Sequence, residues 1–109
     1  MNYFIYILTC SNGAYYTGYT TDIKRRYQEH QQGSSKCKFT RSFPPKELSA
    51  CWQIQCDLSS ILKIERIIKK LSKLEKKQLV DNQSMLTDLV SKAFPLGSRL
   101  TIDVYTSIT

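Results

Sequence analysis

The chain has 109 residues, which is enough for one domain with a modest hydrophobic core and too few for two domains of ordinary size. It carries 16 Lys and Arg residues against 9 Asp and Glu residues, and this net charge of +7 favours a polyanionic partner such as nucleic acid. No stretch approaches transmembrane length and residues 3–8 are too short for the core of a signal peptide, so we expect a cytoplasmic protein without a membrane partner. Its four cysteines form no CxxC pair, so free thiols are expected.

A β-hairpin is predicted over the first twenty residues, where two segments rich in Tyr, Ile and Phe flank a loop that ends in Gly13. A two-residue turn would place Tyr6 opposite Tyr19. A three-residue loop with Gly13 in the left-handed conformation would instead pair Tyr6 with Gly18 and bring Tyr16 to the same face. We favour the second register, because it brings two phenols together and leaves open space beside Tyr6. The alternative is that these tyrosines are ordinary aromatic residues of a strand.

A helix of about three turns is predicted next, with its N-cap at Thr21 or Asp22 and a glycine at its C-terminus. Arg26 and His30 lie one turn apart and flank its narrow apolar face, whereas Arg25 points to solvent. A lone histidine beside an apolar face is more often structural than catalytic. An arginine and a histidine that both face a strand with two tyrosines favour a catalytic site instead.

A second, more apolar helix is predicted over residues 57–72. Its broad apolar stripe contains Leu58, Ile61, Leu62, Ile64, Ile67, Ile68 and Leu71. Glu65 falls inside this stripe, with Lys69 one turn further along. An ionised carboxylate that is buried without a partner is costly, so Glu65 should be either paired with Lys69 at the edge of the core or bound to a metal ion.

The loop predicted over residues 34–46 mixes cations with aromatic side chains. Phe39 and Phe43 could stack on unpaired bases, or they could pack on the core of the protein, and for each phenylalanine we expect the second. After this loop we predict a third strand over residues 47–56.

Three further elements are predicted in the C-terminal part of the chain. Ser72 and Glu75 have the spacing of a capping box and predict the start of a new short helix. A last helix is expected over residues 84–94, and the alternation of apolar and polar residues after residue 99 is typical of a strand. That strand could extend the sheet, pair with a protein partner or a second copy of the chain, or be a loosely attached end.

The segments Phe4-Ile5-Tyr6 and Tyr16-Thr17-Gly18, followed by Arg26, His30 and Glu65, resemble the motifs of the GIY-YIG nuclease superfamily. The resemblance is to its small, single-domain bacterial YhbQ-like members of the UPF0213 type, and it covers roughly residues 3–80. Phe4 stands where the family has its first glycine, and Thr17 replaces the isoleucine of the second motif.

The resemblance implies an α/β (α+β) fold with a central three-stranded antiparallel sheet flanked by helices. We assign residues 1–94 to this nuclease-like domain and residues 95–109 to a C-terminal extension, which could add a strand.

The resemblance also implies an endonuclease that hydrolyses phosphodiester bonds with one divalent metal ion, Mg2+ or Mn2+. Glu65 would hold the metal, and Tyr6 would be the general base or a water-orienting phenol. Tyr16 and His30 would assist water activation and phosphate positioning, while Arg26 would bind the scissile phosphate. Gly18 would have a structural role in the site.

Two basic zones accompany these residues, at 24–46 and 63–77. The side chains expected to bind nucleic acid are Lys24, Lys36, Lys38, Arg41, Lys69 and Lys73. We expect DNA rather than RNA as the substrate, with cleavage directed by structure rather than sequence because the visible contacts are to phosphate. The alternative is a non-catalytic nucleic-acid-binding or accessory module that retains the nuclease fold.

Overall fold

The structure is a computed structural model that describes residues 1–33, 37–94 and 100–105. Four strands form one antiparallel sheet in the order β2-β1-β3-β4, and their bounds are β1 Asn2–Cys10, β2 Tyr15–Thr20, β3 Pro45–Gln55 and β4 Thr101–Val104. The helices are α1 Ile23–Gln32, α2 Lys38–Ser42, α3 Leu58–Lys69, α4 Lys73–Asp81 and α5 Met85–Ser91. The predicted fold class, an antiparallel sheet flanked by helices, is confirmed.

The β1–β2 hairpin has the register that the three-residue loop predicts. The Cys10 N–H donates to the Ala14 carbonyl at 2.9 Å and the Gly13 N–H donates to the Cys10 carbonyl at 2.8 Å. Gly13 has a φ of +84°, the left-handed conformation that glycine adopts without steric cost. Tyr6 is therefore paired with Gly18.

The sheet separates two hydrophobic layers of unequal size. One face of β1, which includes Ile5 and Ile7, packs with Trp52 and with the buried faces of α3, α4 and α5. The opposite face carries Tyr6 and packs with a smaller group that includes Ile23 of α1. Full burial of a large apolar side chain contributes roughly 1.5–3 kcal/mol, so the larger layer supplies most of the hydrophobic stabilisation.

Helix α3 buries a narrower stripe than its sequence predicts. Ile61, Ile64 and Ile68 are fully buried, but Leu58 and Leu62 are 49% and 38% exposed. The fully buried residues of α3 are thus at i, i+3 and i+7, and periodicity alone does not show how wide the covered face of a helix is. The C-terminal ends predicted for α3 and α5, at residues 72 and 94, are also wrong, because these helices end at Lys69 and Ser91.

The prediction of a loop over residues 34–46 is wrong in part, because residues 38–42 form the short helix α2. Residues 34–36 lie outside the part that the structure describes. At the other end of the chain, β4 extends the sheet by pairing with β3, with Ile102 opposite Ile54. The Tyr105 N–H continues this contact by donating to the Cys51 carbonyl at 2.8 Å.

Two features hold for residues 1–33, 37–94 and 100–105: the lengths of the helices and the state of the cysteines. None of their helices is long and apolar enough to cross a membrane. The four cysteines are buried and form no disulfide, as the sequence predicts.

Candidate active site

Tyr6 is the centre of a hydrogen-bonded cluster on the smaller side of the sheet. Its Oη lies 2.8 Å from His30 Nε2, and Arg26 Nε donates to the same oxygen at 3.4 Å. Tyr6 is fully buried, and its ring lies directly over Gly18. The structure therefore brings together three of the predicted catalytic side chains on two elements, β1 and α1.

The caps of α1 fix the position of Arg26 and His30. Asp22 is the N-cap, and its side chain accepts a hydrogen bond from the Arg25 N–H at 3.2 Å. Gly33 ends the helix with a φ of +68°, as its C-cap. His30 is fully buried, whereas the Arg26 side chain remains 23% exposed and forms an ion pair with Glu29 at 3.3 Å. Arg26 can therefore contact both Tyr6 and a ligand at the surface.

Thr40, on α2, determines the tautomer of His30. Thr40 Oγ1 lies 2.7 Å from His30 Nδ1 and donates its own proton to the Cys37 carbonyl at 3.3 Å. With that proton donated to the carbonyl, Thr40 Oγ1 accepts from Nδ1–H, and this arrangement favours the tautomer with the proton on Nδ1. Nε2 then carries the lone pair and accepts the proton of the Tyr6 phenol.

The protonation states agree with this hydrogen-bond direction. Burial, together with the positive charge of Arg26, lowers the pKa of His30 to about 4. Burial raises the pKa of the Tyr6 phenol well above its usual value, although the hydrogen bond from Arg26 opposes this change. At neutral pH the site therefore contains a neutral imidazole, a protonated phenol and a guanidinium ion.

Tyr16 forms the outer side of this cluster. Its ring centroid lies 5.0 Å from that of His30 and 6.4 Å from that of Tyr6. Phe39 stacks on the other side of Tyr16, with the centroids 5.9 Å apart and an interplanar angle of 21°. The Phe43 ring follows at 5.4 Å from Phe39. The predicted packing of these two phenylalanines in the core is wrong, because they are 38% and 39% exposed.

Glu65 lies on α3, which packs against β1 and β2 within the larger layer. Its side chain is 16% exposed, and among the described residues its ion-pair partner is Lys69, whose Nζ lies 3.5 Å from Oε1. The Glu65–Lys69 ion pair, which the sequence left open as an alternative to metal binding, is therefore present. No hydrogen bond within the described part of the chain joins Glu65 to Tyr6, Arg26 or His30.

The donor set around Glu65 fits a magnesium ion that is held mainly by water and substrate. Such ions retain several waters and use only one or two protein carboxylates. Glu65 offers one half-buried carboxylate whose partner, Lys69, is largely exposed and can turn away. Residues 1–33, 37–94 and 100–105 contain no group of three or more His, Cys, Asp and Glu side chains that could hold a metal without substrate.

An open groove of about 460 Å³ lies beside Arg26, and it is lined by Tyr19, Thr20, Thr21, Arg25, Arg26 and Glu29. Four of the lysines and arginines predicted to bind nucleic acid are exposed, namely Lys24, Arg41, Lys69 and Lys73. Lys36 and the side chain of Lys38 lie outside the described residues.

Thr40 is the site residue that sequence reasoning missed. It lies ten residues from His30 in a segment interpreted as a loop, so no helical spacing connects the two side chains. A hydroxyl residue three positions after Cys37 is compatible with a side-chain bond to the backbone of a short helix, but that signal is common.

Residues 2–78 match the GIY-YIG catalytic domain. This match spans more than half of the chain, and it contains β1–β3, α1–α3 and the Tyr6 cluster described above. The chain therefore belongs to the GIY-YIG family of nucleases.

Its relatives define the branch of that family. It is similar to the UPF0213 protein BH0048 of Halalkalibacterium halodurans, with 41% identity over 80 residues, which cover 73% of this chain and 83% of the relative. The UPF0213 protein of Syntrophus aciditrophicus is 43% identical over 77 residues, 71% of this chain and 87% of the relative. The UPF0213 protein YhbQ of Salmonella arizonae is 37% identical over 89 residues, which cover 82% of this chain and 87% of the relative.

One solved structure is also similar, the solution NMR structure of the UPF0213 protein BH0048 from Bacillus halodurans. The two chains are 35% identical, the match covers 91% of this chain and 100% of the other, and the TM-score is 0.49. The names of these relatives assign them no activity.

Proposed function

We propose that this protein is a metal-dependent endonuclease that hydrolyses phosphodiester bonds in DNA and selects its substrate by structure rather than by sequence. The observation that carries the proposal is the connected set of hydrogen bonds from Arg26 through Tyr6 and His30 to Thr40. This set combines the partly exposed guanidinium of Arg26 with two buried neutral groups, the Tyr6 phenol and the His30 imidazole, that can transfer a proton. Phosphodiester hydrolysis needs both of these functions.

In the proposed reaction, Tyr6 orients the attacking water and transfers its proton to His30. The phenol donates to His30 Nε2 and accepts from Arg26 Nε, which leaves one lone pair on its oxygen for a water that enters on the partly exposed side of the cluster, beside Arg26. As the water oxygen bonds to phosphorus, the water proton moves to Tyr6 Oη and the Tyr6 proton moves to Nε2. The bond from phosphorus to the leaving oxygen breaks, and that oxygen takes a proton from solvent. The buried imidazolium ion then returns its proton to Tyr6 Oη as the phenol releases its own proton to water.

Of the two roles that the sequence left open for Tyr6, we propose the phenol that orients water rather than a general base that is ionised beforehand. A free phenolate is disfavoured, because burial raises the pKa of the phenol. A neutral phenol with a proton acceptor at 2.8 Å avoids forming a phenolate, and the cost of a buried charge then falls on the His30 imidazolium. Tyr16 packs on His30 at 5.0 Å and limits the movement of the imidazole.

Arg26 would bind the scissile phosphate. Its guanidinium stays charged at all relevant pH values and offers donors in a planar fork that suits phosphate oxygens. The Nε–H already donates to Tyr6, while the partly exposed Nη groups border the open groove. The same side chain therefore connects the phosphate to the phenol that orients the water.

Glu65 would hold one Mg2+ or Mn2+ ion, which, when bound, would stabilise charge on the phosphoryl and leaving oxygens. The isolated carboxylate is the reason for proposing one metal ion rather than two. Among the described residues Glu65 is the one carboxylate proposed to bind the ion, so substrate, together with water, would complete the metal site.

The test is cleavage of labelled single-stranded, duplex and branched DNA and RNA with Mg2+ or Mn2+, at one low salt concentration. We expect Tyr6→Phe and Glu65→Gln to abolish metal-dependent cutting, and Arg26→Ala to reduce it about 100-fold or more. Lys92→Ala is the matched control, because Lys92 is an exposed cation outside both basic zones and outside the groove beside Arg26. Binding of DNA without cutting by the wild-type protein would support the non-catalytic module instead.

A further inference from the structure

The aromatic side chains Tyr16, Phe39 and Phe43 form a row that leads from the candidate active site to the protein surface. We call them the aromatic row. Tyr16 contacts His30 at 5.0 Å between centroids, and the next two rings follow at 5.9 Å and 5.4 Å. Exposure increases outwards, since His30 is fully buried, Tyr16 is partly buried and both phenylalanines are more than one-third exposed.

The aromatic row is attached to the site by α2. Cys37 and Thr40 form the buried side of this helix, and Thr40 is hydrogen-bonded to His30. Phe39 and Phe43 are one turn apart and do not join that buried side, although further burial of their rings would stabilise the protein. Two neighbouring exposed rings held beside a candidate active site indicate a binding surface.

The charges around the row favour nucleic acid over an apolar peptide. Residues 37–46 contain three basic and no acidic residues. Arg41 lies between the two phenylalanines in sequence and is exposed. Aromatic faces next to cations are the arrangement by which proteins bind unpaired bases while contacting the phosphates of the same strand.

We propose that the aromatic row stacks on unpaired bases next to the scissile phosphate, so that the substrate class is nucleic acid with single-stranded nucleotides at the cut. Bases inside a duplex are already stacked on one another and do not present their faces to the protein. This inference rests on the proposed function, because it takes Arg26 as the site of the scissile phosphate. It adds the feature of DNA structure that the enzyme selects.

The experiment measures binding in EDTA, so that cleavage plays no part. The probe is a single-stranded oligonucleotide with 2-aminopurine, whose fluorescence falls when it stacks, and the comparison is a blunt duplex of the same sequence. The variant is Phe39→Leu with Phe43→Leu, which keeps apolar volume but removes both rings. The control is Leu74→Ala, an exposed apolar residue of α4 outside the row.

We expect wild type and Leu74→Ala to quench the probe and to bind the single strand more tightly than the duplex. The double variant should bind the single strand about ten-fold more weakly or worse, without quenching it. Its affinity for the duplex and its Tm should change little. Equal affinity and quenching in wild type and double variant would overturn the inference, as would an absence of quenching by wild type. Quenching by a wild-type protein that does not cleave would instead count against the nuclease proposal.

Discussion

Gly18 and Tyr6 face each other across the β1–β2 pair so closely that a β-carbon at residue 18 would lie 2.5 Å from Tyr6 Oη and 2.7 Å from Cζ. Real β-carbons do not approach other atoms this closely, so any other residue at 18 must displace the phenol. The same Oη lies 2.8 Å from His30 Nε2. The glycine therefore preserves the alignment of the proposed proton transfer.

We expect Gly18→Ala to reduce cleavage at least 100-fold and to lower the free energy of unfolding by about 1–3 kcal/mol through overpacking. Denaturant unfolding and cleavage rates measure the two effects. In a Tyr6→Phe background the same substitution should cost less stability, because one of the two closest atoms is removed. An equal cost in both backgrounds would show that the contact with Oη is not the cause.

Thr40→Val should disturb His30 without removing it. Valine has the shape of threonine but leaves Nδ1–H buried without an acceptor, which costs about 1–3 kcal/mol and favours the Nε2–H tautomer. That tautomer does not accept the Tyr6 proton, so we expect cleavage to fall ten-fold or more. The ¹⁵N chemical shifts of the imidazole report the tautomer directly. Thr40→Ser retains the hydroxyl and should keep both the tautomer and most of the activity.

His30 should make the folded protein sensitive to acid. Its pKa is about 4 in the folded state and about 6.5 when unfolded, so the unfolded chain binds more protons between these values. Its contribution to stability is therefore complete above pH 6.5 and is lost as the pH falls towards 4. His30 is the only histidine, so an NMR titration of the wild-type imidazole is unambiguous. A midpoint near 6.5 would contradict the prediction.

Glu65→Gln separates metal binding from stability. Without metal we expect the free energy of unfolding to change by less than about 1 kcal/mol, because Lys69 is mostly exposed and such pairs contribute little. With Mg2+ and a non-hydrolysable oligonucleotide together, the wild-type Tm should rise above its value with the oligonucleotide alone, while that of Glu65→Gln should not. Asp81→Asn is the matched control, since it removes an ion pair of the same spacing with Lys77. If Asp81→Asn also loses the Mg2+ response, Glu65 is not the specific ligand.

Thr17→Val should stabilise the protein. Thr17 is paired with Ile7, so it faces away from Tyr6, and its Oγ1 is buried without a hydrogen-bond partner among the described residues. Replacing such a hydroxyl by a methyl group removes a desolvation cost, and we expect a gain of about 1 kcal/mol in the free energy of unfolding. Thermal unfolding measures this gain, and a lower Tm would indicate that a water molecule satisfies the hydroxyl.

Local chemistry explains why much of the fold was predictable. The left-handed conformation of Gly13 fixes the hairpin register, and Asp22 and Ser72 cap α1 and α4 as their sequences predict. Each of these signals depends on residues within a few positions of one another. The pairing of Tyr6 with Gly18 follows from the hairpin register. The direction of the Arg26 side chain, towards Tyr6, follows from helical spacing.

The features that could not be predicted depend on contacts between distant segments. Thr40 bonds to His30 because α2 folds back on α1, and no repeat or cap in the sequence encodes that contact. Likewise, the exposure of Phe39 and Leu58 depends on which surfaces lie opposite them. Hydrophobicity predicts that such residues prefer burial, but only the tertiary structure shows whether a partner surface is available.

The burial of His30 also has a consequence for the electrostatics of the whole molecule. Histidine is the side chain whose ordinary pKa falls between pH 5 and 8, and the only one in this chain stays neutral over that interval. The positive charge of the protein is thus nearly constant across the pH values found in cells. Its attraction for a phosphate backbone should consequently respond to ionic strength and hardly at all to acidification.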